Sequence, residues 1–191
     1  MKRSYLFGMA MAAGLSVQAH ECAMTAYVQT DVRIDRTMVS PAELKAAALF
    51  REIGVEVRWR TGNAHATADD DGCGASIGIQ LENAGVEVSP GTMAYATPFA
   101  ESAILIHVFM NRVISNRDRG FATVVLAYVL AHEITHVLEG INRHSREGVM
   151  KAQWDRSDYY RMKTNSLHFA PADVVLTHIG LAKRSPNAAA E

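Results

Sequence analysis

From Met24 to Asp35 the chain alternates. Met24, Ala26, Val28, Thr30, Val32 and Ile34 fall on one side, and Thr25, Tyr27, Gln29, Asp31, Arg33 and Asp35 on the other. A period of two is the pattern of a half-buried strand. Ser40-Pro41 then offers an N-cap with proline at the first helical position, and Leu44, Ala47, Ala48 and Leu49 form a helical stripe that stops near Gly54. Val55, Val57 and Trp59 restore the alternation, and Ile77, Ile79 and Leu81 repeat it. Thr61 to Gly74, with Gly62-Asn63 and the run Asp69-Asp70-Asp71-Gly72, reads as an exposed loop, the aspartates as a solvated turn rather than a calcium site. After the Ser89-Pro90-Gly91 break a short strand is expected over Thr92 to Thr97. The nearly continuous apolar run Ala103 to Met110 fits an interior strand, with His107 as a packed sheet residue.

From about Arg119 to Glu139 the pattern turns helical. Val124, Val125, Leu126, Tyr128, Val129, Leu130, Ile134, Val137 and Leu138 cover most of the circumference, so this helix must be buried on nearly all sides. A short helix around Asp155 to Lys163 and a C-terminal helix from Pro171 to about Lys183 follow, ahead of a frayed tail from Ser185 to Glu191.

A chain of 191 residues, 49% of them hydrophobic, suffices for one domain with a substantial core. Lys2 and Arg3, the apolar stretch Tyr5 to Val17 and the small residues around Ala19 read as a secretory signal over residues 1–19. The expected domain is therefore 20–191, with a sheet part over about 20–140 and a C-terminal part over about 141–191. The product would be secreted or periplasmic, with no stable membrane span after cleavage, since Phe121 to Ala131 is too short to cross a bilayer. In such a compartment Cys22 and Cys73 are expected to form a disulfide. Nineteen basic and 20 acidic residues, a net charge of -1, are spread without a single-sign block, which argues against a nucleic-acid partner.

The chemistry is concentrated in HEITHVLEGINRHSREGVM, residues 132–150. On a helix, residues four apart lie about 40° apart around the axis, so His132 and His136 can place two imidazole nitrogens on one metal ion. Glu133, about 100° from His132, can stay off the metal and act as general base toward a water there. A catalytic zinc takes three protein ligands and leaves one position to water. Glu139 lies on the same stripe but about 4.5 Å further along the axis than His136, which suits a supporting or cleft-lining place better than ligation. His144, beyond the helix-stopping Gly140, is the first choice for third ligand, with Glu147, Asp155 and Asp158 as fallbacks.

This stretch resembles the zincin metallopeptidases, and within them the metzincins, whose pattern is His-Glu-x-x-His-x-x-Gly-x-x-His followed by a methionine in a tight turn. Here the order is His132-Glu133-x-x-His136-x-x-x-Gly140-x-x-x-His144, with one extra residue on each side of the glycine, and Gly148-Val149-Met150 in the place of the Met-turn. The spacing is also similar to that of small exported bacterial zincin-like proteins. The resemblance implies an α+β fold: a twisted mixed sheet packed on a backing helix and a buried active-site helix, followed by a small helical part. It implies a zinc ion as cofactor, Met150 as a hydrophobic base beneath the metal, and Thr92 to Thr97 as the edge to which a peptide or protein substrate would pair. Tyr159 or Tyr160 could place a phenol near an oxyanion, although packing is the commoner role for such a pair. The expected activity is zinc-dependent peptide hydrolysis; the alternatives are a zinc-binding module without proteolytic role and a hydrolase of a non-peptide amide.

Overall fold

The computed structural model describes residues 23–31, 36–62, 75–98 and 104–184. The expected signal sequence, both cysteines, the aspartate run and the tail lie outside the described residues. The order of elements is β1 (Ala23–Thr30), α1 (Arg36–Glu52), β2 (Glu56–Thr61), β3 (Ser76–Glu82), β4 (Ala94–Ala96), β5 (Ile104–Phe109), α2 (Met110–Ile114), α3 (Arg119–Glu139), α4 (Arg156–Lys163) and α5 (Pro171–Arg184). The strands form one sheet in the order β2-β1-β3-β5-β4, parallel except for β4, which pairs antiparallel to β5 and ends the sheet.

Register explains the core. Met24 stands beside Val57, Ala26 beside Ile77, Val28 beside Ile79, Ile79 beside Ile106 and Leu81 beside Val108. The alternating residues of four strands thus present one apolar face. α1 adds Met38, Ala42, Ala46, Leu49 and Phe50 to the same core, and α3 adds almost its whole surface. Ile77, Ile79 and Ile106 are wholly buried, and each such side chain contributes about 1.5–3 kcal/mol relative to exposure. The opposite face is more polar: His107 on β5 lies 2.8 Å from the Glu82 carboxylate and stacks on Tyr95 of β4.

The first strand is shorter than its alternation suggests, ending at Thr30 with Asp31 already in a bend, and the helices differ from the sequence reading in two places. α1 begins at Arg36, a turn ahead of Ser40-Pro41, so Pro41 lies inside it. Proline supplies no N–H there, and the extra turn is held instead by burial of Met38 and by the hydrogen bond from Arg119 to the Thr37 hydroxyl. The short α2 was not foreseen; five residues, of which Met110 and Val113 are buried, are too few to display a helical period.

α3 is defined at both ends. The Asp118 carboxylate accepts the Phe121 N–H at 2.9 Å, and Gly140 ends the helix in the left-handed conformation at φ 64°. Arg184 of α5 donates to the Leu138 and Val137 carbonyls at 2.7 and 2.5 Å, satisfying last-turn acceptors. The two helices touch at Gly180, where a Cβ would overlap the Leu138 carbonyl oxygen.

Candidate metal centre

α3 carries His132 and His136 in its last turns, where the helix is still buried, and Gly140 turns the chain so that His144 comes back toward them. One nitrogen from each of the three rings falls within 4.8 Å of the others. The ring centroids of His144 lie 5.3 Å from His132 and 4.9 Å from His136. The one-residue expansions on either side of Gly140 therefore lengthen the turn without diverting His144.

Hydrogen bonds fix which nitrogens face inward. His132 Nδ1 lies 2.9 Å from the Val149 carbonyl oxygen and His136 Nδ1 lies 3.4 Å from that of Ile141. A carbonyl can only accept, so in the neutral rings Nδ1 carries the hydrogen and Nε2 keeps its lone pair. The two Nε2 atoms are 3.0 Å apart. Two lone pairs at that distance repel unless a cation lies between them, and burial disfavours a proton: it pushes His132 down to about 3 and lowers His136 too, and His144 shifts the same way through desolvation and the nearby Arg143. Three neutral imidazoles with converging lone pairs are the donor set zinc takes in a catalytic site.

Glu133 lines the cleft beside His132 and His144, and burial pushes its carboxyl up to about 8. A cation held by the neighbouring imidazoles would favour its ionised form. The cleft, roughly 450 Å³, runs between the β4 end of the sheet, at Met93 and Ala94, and the segment carrying Lys151, Trp154 and Tyr159. The Trp154 ring meets His132 edge-on at 5.6 Å, and its indole N–H donates to the Val149 carbonyl that His132 also uses.

The turn Gly148 to Lys151 is locked to the site. Met150 is buried, its carbonyl accepts the Ser145 N–H at 2.8 Å, and the Val149 N–H donates to His168. Gly148 has φ 78°, and a Cβ there would stand 2.6 Å from the His168 carbonyl oxygen, so only glycine fits.

The fallback ligands are elsewhere. Lys151 Nζ contacts Asp155 at 2.5 Å and Asp158 at 2.6 Å, the two aspartates form the capping box of α4, and Glu147 is exposed. Glu139 does not line the cleft. Its carboxylate is sequestered 3.4 Å from Arg143 Nε, on the helix side facing α5. The tyrosine pair separates as well: Tyr159 forms cleft wall, while Tyr160 is 68% exposed and does not line the cleft. Sequence reasoning missed Arg143 and Asp173, which meet at 2.5 Å beside the third histidine. Arg143 and Ser145 flank His144 in the chain, a signal of sorts; nothing in the sequence linked Asp173 to a residue 28 positions earlier.

No protein-family model and no curated protein sequence matches the chain. Its fold is similar to that in the crystal structure of archaemetzincin from Methanopyrus kandleri, with a TM-score of 0.55 and 18% sequence identity over 86% of this chain and 98% of that one. The fold is thus α+β and zincin-like, and three convergent imidazoles stand at the end of its central helix. Together they suggest a zinc hydrolase.

Proposed function

We propose that this chain is an exported zinc-dependent metallopeptidase. The observation that carries the proposal is the convergence of His132, His136 and His144, with Glu133 beside them in an open cleft. Those three imidazoles would hold the metal. A zinc ion bound there supplies Lewis acidity and lowers the pKa of a water to about 7. Glu133 takes a proton from the attacking water and returns it to the leaving amine nitrogen, as one carboxylate can do in both directions. Among the described residues β4 ends the sheet at the cleft, and an extended peptide adds to that edge as a further strand through backbone hydrogen bonds. The substrate would be a peptide or protein, met in the periplasm or outside the cell; the basic, then apolar, start of the chain supports that location.

Digestion of a broad peptide library with zinc-loaded wild type and with Glu133→Gln tests the proposal. Cleavage abolished by a chelator, and lower by about a hundredfold or more in the variant at equal zinc content, is the expected result. Full zinc content with no chelator-sensitive cleavage would leave a zinc-binding module and overturn the peptidase.

A further inference from the structure

The cleft does not end at the histidines. Past Tyr159 a second recess of roughly 670 Å³ opens, sharing Gly91, Met93 and Tyr159 with the first. Its wall carries Arg112, Arg117 and Lys163, against one carboxylate, Asp118. Asp118 is already engaged as the N-cap of α3, at the end of the helix where negative charge is favourable. Among the described residues no ion pair joins any of the three cations to a carboxylate.

The cations are held in place. Arg117 Nη1 donates to the carbonyls of Arg112, Val113 and Ser115 at 3.0–3.1 Å, its Nη2 reaches the Tyr159 hydroxyl at 3.3 Å, and its guanidinium lies 5.5 Å from that ring. These contacts orient the charge without neutralising it. Lys163 Nζ stands 4.2 Å over the Phe121 ring, and Arg112 Nε is shielded from solvent with no acceptor. An anion in the recess would balance the charge that Arg112, Arg117 and Lys163 bring to its wall, and a carboxylate matches the planar guanidinium best.

We propose that this recess is a substrate subsite that takes a carboxylate, so that the protein prefers peptides bearing an acidic group a few residues from the point of attack. The inference rests on the cleft being a peptide site, but binding tests it independently of catalysis. Four labelled hexapeptides, carrying one Glu or one Gln and ending in a free acid or an amide, are titrated by fluorescence anisotropy against zinc-loaded Glu133→Gln protein. Carboxylate peptides should bind about tenfold tighter than the Gln amide, one charge-assisted contact being worth about that factor, with the advantage shrinking as salt rises. The Glu amide and the Gln acid separate a side-chain carboxylate from a C-terminal one. Arg112→Gln combined with Lys163→Gln should erase the advantage, and Lys163→Arg should keep it. Equal affinity for all four peptides, no measurable binding by any, or an advantage that survives the double substitution overturns the subsite. Loss of cleavage alone would count only against the peptidase.

Discussion

Arg143 Nη2 lies 2.5 Å from Asp173 Oδ1, and Ser145 Oγ donates to the same oxygen at the same distance. One fully buried carboxylate on α5 therefore grips both chain neighbours of His144. The last helix, remote in sequence, fixes the turn on which the third imidazole rides.

If this grip positions the third imidazole, Asp173→Asn should weaken zinc binding by about ten- to a hundredfold, the usual cost of losing a partner that orients a ligand. Competition with a chromogenic chelator measures it. In a His144→Ala background the same substitution should cost little more; an equal loss in both backgrounds would assign Asp173 to general stability instead.

Glu139 competes with Asp173 for Arg143, and Asp173 has the shorter contact. Burial pushes the Glu139 carboxyl up to about 7, with Arg143 opposing and Asp173 adding to the rise. The folded state then holds this proton more tightly than the unfolded chain, so its contribution to unfolding free energy falls as pH rises from about 4.5 to about 7 and is level beyond. Glu139→Gln should flatten that part of the stability profile in urea titrations run across the range. An unchanged slope would contradict the assignment.

Gly180→Ala should destabilise the fold by at least 1–3 kcal/mol, roughly the cost of overpacking, because the added methyl meets backbone of α3 and not a yielding side chain. Chemical denaturation is the check. A variant as stable as wild type would mean that α5 does not sit this close to Leu138.

Trp154 touches His132, whereas the other tryptophan, Trp59, lies in β2. Zinc binding should alter the emission of wild type and of Trp59→Phe, and leave Trp154→Phe silent. A zinc response that persists in Trp154→Phe would place the metal away from His132.

The parts legible in the sequence were those with a repeating pattern. Strand alternation located β1, β2 and β3, the nearly continuous apolar run Ala103 to Met110 located β5, and the all-round apolar character of Val124 to Leu138 located α3 and its burial. The limits of α3 and α5 fell close to the residues expected, because Gly140 and Pro171 are strong local signals. The start of α1 was misplaced because tertiary packing of Met38 overrode the proline rule. In the site, helical spacing brought out His132, Glu133 and His136. The place of His144 depends on a turn, and the forces that set that turn, from Asp173, Ser145 and the Gly148–His168 contact, are long-range. The basic recess was invisible for the same reason: Arg112 and Arg117 belong to one stretch and Lys163 to α4, and only folding brings the two to one wall.

X-ray absorption at the zinc edge, on wild type and on His144→Ala, addresses the central claim most directly. The wild-type spectrum should show three imidazole nitrogens at about 2.0–2.1 Å from zinc, and the variant two. Two imidazoles in the wild type, unchanged in the variant, would contradict it.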